Sequence, residues 1–338
     1  MPPVKPGLVQ ECGLFSESGD YIPRGAVWRR NTPICVPPTA IPEAEERLEG
    51  RWLWGGILYD HFGHFLVEST ARLWPLPDRR GDLDGVIFAP RNPSEAPELT
   101  WFQAELFRHL IGDFPVKLIA RPTRIAALDV PGQGFGMGRI AGGTKQFRAY
   151  IETDFARTIA PYGPERLFLS RSKLPYSRGG FVGEAILDER MARAGYEIFH
   201  PEEHDIATQL ARYKAARQVV ALDGSALHLC AMVARRPQQV AVLLRRRAVS
   251  SRALLAHLEK FMGAPPHVVS VFSGEEKVAG KKAWITDLDF AAMGAALHAG
   301  GFLPDGHHWG ALTDSELEDF AEEEARAKKR FSKARNAS

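Results

Sequence analysis

From Arg166 onward, short apolar runs alternate with helix-patterned stretches. Leu167–Ser170, Tyr196–Phe199, Val219–Leu222, Gln239–Leu244 and His267–Val271 read as strands. Glu184–Ala194, Asp205–Ala216, Ser225–Ala234 and Ser250–Phe261 read as helices, the first stopped by Gly195 and the second capped by Asp205. Strands that alternate with helices of about a dozen residues mean βαβ units and a parallel sheet. An α/β class follows for this half of the chain.

The first half is less regular. Residues 1–50 are rich in proline and turn formers, and read as short strands and loops. Residues 51–74 are apolar and aromatic, helix-like from about Asp60. Val86–Ala89 and Val116–Ile119 read as strands and Leu99–Ile111 as a helix. Residues 132–143 hold six glycines. They fit G-x-G-x-x-G in no register, with no clear strand before them or helix after them. A flexible loop or interdomain connection is expected there. A length of 338 residues makes two domains the natural division. The expected boundaries are 1–160 and 161–275, followed by a helical tail over 276–338 that packs back on the first domain. The Lys328-Lys329-Arg330 run in that tail reads as a solvated face.

Charge and cysteine usage remove several classes. Lys and Arg number 43 against 41 Asp and Glu, a net charge of +2. A sequence-independent nucleic-acid binder needs a strongly basic face, so no nucleic-acid partner is expected. The longest apolar stretch, Val219–Ala234, is broken by Asp223 and His228, which leaves no spanning helix. Met1–Pro6 has no apolar core, so no secretory signal is expected. Cys12, Cys35 and Cys230 form no CxxC pair. Neither a disulfide framework nor a metal site is indicated, and a cytoplasmic location is expected.

Three stretches carry residues suited to chemistry. In Phe62–Ser69, helical spacing puts Phe62, Phe65, Leu66, Ser69 and Leu73 on one inward face, with Asp60, His64 and Glu68 on the other. His64 and Glu68 are one turn apart, and a carboxylate beside an imidazole raises its basicity, as a general base requires. A surface His/Glu pair or a buried structural histidine is the alternative. The second stretch, Leu167–Lys173 with Arg178-Gly179-Gly180, sets Arg171, Lys173 and Arg178 after a strand. Ligands bind at the carboxyl ends of parallel strands, and such cations suit a diphosphate. A solvated basic loop is the alternative. The third, Val219–His228, runs strand, Asp223-Gly224-Ser225 turn and helix. Backbone N–H groups at a helix start attract anions. Ser225 and His228 also invite a hydrolase reading, but the G-x-S-x-G elbow is missing.

In this order the stretches resemble glycosyltransferase family 61, in its bacterial capsular-polysaccharide branch. The resemblance rests on Phe62–Glu68 with Ala71–Trp74, on Leu167–Arg171, on Arg178 with Glu184, on Gly195-Tyr196 with Pro201-Glu202, and on Asp223–His228. It implies a GT-B-like fold, with two Rossmann-like domains facing across a cleft and a parallel sheet in the C-terminal one. It implies inverting transfer of a sugar from a nucleotide-sugar donor to a glycan or lipid-linked glycan acceptor. The donor is a co-substrate; no cofactor and no obligatory metal are implied. His64 and Glu68 become the expected catalytic residues. Arg171, Lys173, Arg178, Glu184, Asp223, Gly224, Ser225 and His228 become the expected donor-binding residues. At most peripheral association with the inner face of a membrane is expected. Two positions depart from the family pattern: Asp223 stands where His is common, and Gly183 where Asn is common. They favour an alternative, a catalytically degenerate nucleotide-sugar-binding relative. After the last donor-domain strand, Arg245-Arg246-Arg247 stands where an acidic residue is usual; it reads as a solvated loop, with contact to an anionic or lipid-linked acceptor at a membrane surface as the alternative.

Overall fold

A computed structural model describes residues 1–3, 9–92, 96–175, 178, 180–245, 249–277 and 284–335. Gly179, Arg246, Arg247 and the side chains of Lys328, Lys329 and Arg330, named above, lie outside the described residues. The chain divides into two compact units: Met1–Ile159 with Ala231–Val233, and Ala160–Cys230 with Ala234–Ser338. Each carries a parallel sheet, which makes the protein a mixed α/β, Rossmann-like molecule.

The first unit is built on β1 (Glu46–Leu58), β2 (Gly85–Pro90), β3 (Val116–Leu118) and β4 (Thr123–Asp129). Their order is β3-β2-β1-β4, and every neighbouring pair is parallel. α1 (Trp101–Ile111) connects β2 to β3; at its start the Gln103 side-chain oxygen accepts from the Thr100 N–H at 2.7 Å. α2 (Lys145–Thr153) closes the unit, with the Thr144 hydroxyl accepting from the Phe147 N–H. β1 is longer than the sequence suggests because Glu46–Arg51 is mostly polar and exposed, whereas Leu53–Leu58 is buried. At Gly55-Gly56 its register against β2 shifts. Gly56 has φ +106°, a left-handed conformation. A Cβ on Gly55 would fall 2.3 Å from the Phe88 ring. Trp54, Ile57, Tyr59, Ile87 and Ala89 pack with Cys12, Leu14, Val27 and Ile34 as one core.

Residues 132–143 are not a loose connection. Gly134 donates its N–H to Ala71 O at 2.8 Å, and Gly132 O accepts from the Trp74 indole at 3.0 Å. The Phe135 ring stacks on Phe147 with centroids 4.9 Å apart. The glycines leave room for this: a Cβ on Gly134 would sit 3.0 Å from both Trp74 and Phe147.

The second unit is built on β5 (Arg166–Leu169), β6 (Glu197–Phe199), β7 (Gln218–Leu222), β8 (Gln239–Leu243) and β9 (His267–Val269). Their order is β6-β5-β7-β8-β9, again parallel throughout. The chain leaves β5 towards β6 and then returns to β7 on the other side, which makes the β5/β7 boundary a topological switch point. α3 (Glu184–Arg193), α4 (Ile206–Ala215), α5 (Ala226–Val233) and α6 (Val249–Met262) fall where the sequence pattern puts them. Asp205 caps α4 by accepting from the Thr208 N–H at 2.7 Å.

Two helices follow the sheet. α7 (Phe290–Ala299) and α8 (Asp314–Arg335) belong to the second unit. Phe290, Met293 and Leu297 enter its core beside Phe181 and Leu187. Glu316 at the start of α8 takes two hydrogen bonds from Arg190 of α3, at 2.8 and 2.6 Å. No helix among the described residues is long and apolar enough to cross a membrane. Cys12, Cys35 and Cys230 are buried free thiols.

The Gly55 contact gives a test of the β1 packing. Phe88 is fully buried and has little freedom to move, so Gly55→Ala is expected to cost about 1–3 kcal/mol by overpacking. A Cβ at Gly81 would meet nothing within 4 Å, so alanine there should be accepted within about 0.5 kcal/mol. Urea unfolding of the two variants measures both.

Candidate functional site

Each unit places a cluster of ionisable groups at the carboxyl ends of its strands. In the first unit, β1 ends at Leu58, and the chain enters a short helix, Phe62–His64, continued by a π turn over Phe65–Ser69. The π turn is closed by the Thr70 N–H donating to Phe65 O at 3.2 Å. Ser69 ties it back to β1, accepting from the Tyr59 N–H at 3.0 Å and donating to Ile57 O at 2.9 Å. The two-faced helix expected from the sequence does not form. Phe65, Leu66, Val67, Glu68 and Ser69 are all buried, so Glu68 points into the protein rather than to solvent.

A buried carboxylate is stable only if its oxygens are satisfied. Arg29 supplies most of this from the hairpin Trp28–Arg29/Thr32–Pro33. Its Nε and Nη2 donate to Glu68 Oε1 and Oε2 at 2.9 and 2.6 Å. His64 Nδ1 lies 2.7 Å from Glu68 Oε2. Burial pushes the Glu68 carboxyl up, but the hydrogen bonds from His64 and Arg29 outweigh it, and the net shift is downward. An ionised carboxylate only accepts, so the 2.7 Å contact puts a proton on His64 Nδ1 and turns Nε2 away from Glu68. The Glu68 side chain is 0% exposed and that of His64 37%. The imidazole is therefore the member of the pair that a substrate can reach. Tyr59 completes the wall: its ring centroid is 5.5 Å from that of His64, and burial raises its phenol.

In the second unit, β5 and β7 are paired Leu169 to Ala221, so the residues just past their ends are neighbours. Arg171 follows β5, and Asp223-Gly224 follows β7. Arg171 Nη1 would be 2.9 Å from a Cβ at Gly224, so only glycine leaves the guanidinium its place. The Arg171 loop is pinned from below. The Ser170 hydroxyl accepts from the Ser172 N–H at 3.1 Å, and the Ser172 hydroxyl donates to Asp188 of α3 at 2.6 Å. Glu184, at the start of α3, is buried. Burial pushes its carboxyl up to about 7, against the pull of Arg171, the Phe181 N–H and Arg245, while Glu323 adds to the rise. Gly183 before it has φ +91°, and a Cβ there would meet Phe290 at 3.0 Å and Phe320 at 3.2 Å. Its N–H goes to Glu323 of α8 at 3.1 Å. A side chain at 183 would crowd these two rings.

The remaining expected residues are distributed as follows. Ser225 is the N-cap of α5, without a side-chain capping bond. Asp223 is fully buried and held by Arg245 and Ser251. Arg178 is exposed and meets the cluster through its carbonyl, 3.4 Å from Arg171 Nη2. Lys173 turns to an exposed pair with Glu203 at 2.7 Å. His228 faces His257 of α6, with Nδ1 atoms 3.0 Å apart, and burial, then His228, holds His257 well below its usual range. Sequence reasoning alone misses Arg29, Glu323 and the role of Arg245. Arg29 lies 39 residues before Glu68 and Glu323 140 residues after Gly183, separations at which spacing gives no signal.

The glycosyltransferase 61 family model matches residues 62–241. The match begins with the His64 helix and runs through the Arg171, Glu184 and Gly224 cluster into β8. No curated protein matches the chain.

Glu184 supplies a pH test. A carboxyl whose folded value is raised from 4.5 to about 7 binds more protons folded than unfolded, so its contribution to stability falls as pH rises across that window. Glu184→Gln is expected to remove this loss and to gain on the wild type from about pH 5 to about pH 8. Urea unfolding at those two pH values reads it; parallel changes in both proteins would refute the buried-acid assignment.

Proposed function

The chain belongs to glycosyltransferase family 61, and on that premise we propose that it is an inverting, metal-independent transferase using a nucleotide-sugar donor and a glycan acceptor. The observation that carries this reading is the pair of clusters: an ionised carboxylate behind a reachable imidazole in one unit, and a guanidinium at the β5/β7 switch point in the other. This is a GT-B-like division of labour, with acceptor activation assigned to the first unit and donor binding to the second.

The mechanism is a single displacement. His64 Nε2 takes the proton of the acceptor hydroxyl as its oxygen forms a bond to the anomeric carbon. The bond from that carbon to the diphosphate oxygen breaks, and the nucleoside diphosphate leaves with the electron pair. Glu68 keeps the imidazole in the tautomer that can accept, and stabilises the imidazolium once it has. Glu68 is not the base in this reading, because it is enclosed and its pKa is lowered. Arg29 positions Glu68. Arg171, with Gly224-Ser225 at the start of α5, receives the charge that develops on the leaving diphosphate. Arg178 and Glu184 are assigned to the same donor site. We assign the product to a surface or capsular polysaccharide, made on a soluble or lipid-linked acceptor at the cytoplasmic side of a membrane.

A degenerate, non-catalytic relative is the second reading, favoured by Asp223 and Gly183. Release of free sugar from a nucleotide sugar separates the two: a transferase leaks to water, whereas a binding protein does not.

His64→Ala is expected to lower turnover by about 10²–10⁴-fold with nucleotide affinity unchanged. Arg171→Ala is expected to weaken nucleoside diphosphate binding by about 1.5–3 kcal/mol. Kinetics with the active donor and calorimetry with its diphosphate measure these; wild-type turnover in His64→Ala would exclude it as the base.

A further inference from the structure

Beside the Gly224 turn lies an ion pair that the mechanism above does not use. β7 and β8 are paired Leu222 to Leu243. Just beyond these ends, Arg245 Nε lies 2.9 Å from Asp223 Oδ1 and donates to the Asp223 carbonyl at 2.7 Å. The Ser251 hydroxyl of α6 donates to Asp223 Oδ2. The side chains of Asp223 and Arg245 are 0% and 5% exposed.

The sheet order gives this pair its meaning. In β5-β7-β8, the central strand carries the glycine turn, and each flanking strand is followed by an arginine. Arg171 comes from one side and Arg245 from the other. Arg171 Nη1 lies 2.9 Å from where a Cβ on Gly224 would stand, and Arg245 Nε lies 2.7 Å from the carbonyl oxygen of Asp223 beside it, so the two guanidiniums flank one turn. Two cations gathered around a single glycine turn suit a ligand with two negative groups more than one. Asp223 differs from the two arginines in charge: a carboxylate cannot donate to a phosphate, and it repels one. Its two oxygens serve Arg245 and Ser251.

Resting on the donor-site reading above, we propose that Arg245 is a second cationic ligand of the donor diphosphate, and that Asp223 is its positioning residue rather than a ligand of the donor. Asp223 then fixes the Nε edge of the guanidinium to the turn. The residue that departs from the family pattern at 223 and the basic residue that departs from it at 245 become one device: the acid is present to hold the base.

The test uses the full chain. UDP, GDP, CDP, ADP and dTDP are screened by calorimetry, and the diphosphate that binds is carried forward with its monophosphate. Arg245→Gln is expected to weaken the diphosphate by at least about tenfold, as loss of a charged hydrogen bond does, and the monophosphate by less. Asp223→Asn keeps the carbonyl contact and removes the carboxylate charge facing Nε; it is expected to weaken the diphosphate less than Arg245→Gln does, and the double variant no more than Arg245→Gln alone, because the aspartate acts only through the arginine. If Arg245→Gln fails to fold, Arg245→Lys keeps the charge and loses the fork, and is expected to bind the diphosphate more weakly than the wild type. Wild-type affinity in a folded Arg245 variant, with Arg171→Ala weakened, overturns this proposal and leaves the donor site standing. If no nucleoside diphosphate binds the wild type, the donor-site reading falls first and this proposal with it. Strict additivity of the two single changes overturns the positioning role of Asp223.

Discussion

Parallel pairing sends every strand of a sheet in one direction, so all its carboxyl ends lie along one edge. Each return crossing must travel the length of the sheet, and the residues just past a strand end are the ones able to meet across neighbours. Both units obey this constraint, and each cluster of ionisable groups depends on it. The His64 helix begins just after β1. Arg171, Asp223, Gly224 and Arg245 follow β5, β7 and β8. The helices and caps hold the sheets in place, but the sheet direction decides which residues can become neighbours.

The two buried glutamates show how far surroundings decide what one side chain is. Glu68 and Glu184 are both almost wholly enclosed. Glu68 receives a bidentate guanidinium and an imidazole at hydrogen-bond distance, and its ionised form wins despite burial. Glu184 accepts from the Phe181 N–H at 3.2 Å, its cations pull less than burial pushes, and the protonated form gains. The first is fit to steady a positive charge on a neighbour. The second sits where a small change in its surroundings alters its charge near neutrality.

The second unit is legible in the sequence because its apolar runs are short, its helices are capped or stopped by recognisable residues, and the contacts that matter are local. Asp205, Gly195 and the turn at Gly224 announce themselves. The first unit is less legible, for reasons tied to particular residues. β1 hides because its first half is charged and its second half contains Gly55-Gly56, both weak strand signals. The π turn hides because helical periodicity assumes a constant angle per residue, which puts Glu68 on the wrong face. The six-glycine stretch reads as loose by composition and is held by Ala71, Trp74 and Phe147. His64, Glu68, Arg171 and Gly224 can be picked out one by one, whereas Arg29, Arg245 and Glu323 are brought in by the fold.

A π turn is in effect one extra residue inside a helix. Were a single residue lost between Phe65 and Ser69, the backbone would gain a more ordinary hydrogen-bond ladder, yet the chain beyond it would swing by about 100°. The Ser69 anchor to β1 and the alignment of Glu68 with Arg29 could not both survive that rotation. The loss of one codon there would break either the Arg29–Glu68–His64 chain of hydrogen bonds or the tie to β1. Descent along this lineage should therefore tolerate substitution in the segment far more readily than any change in its length.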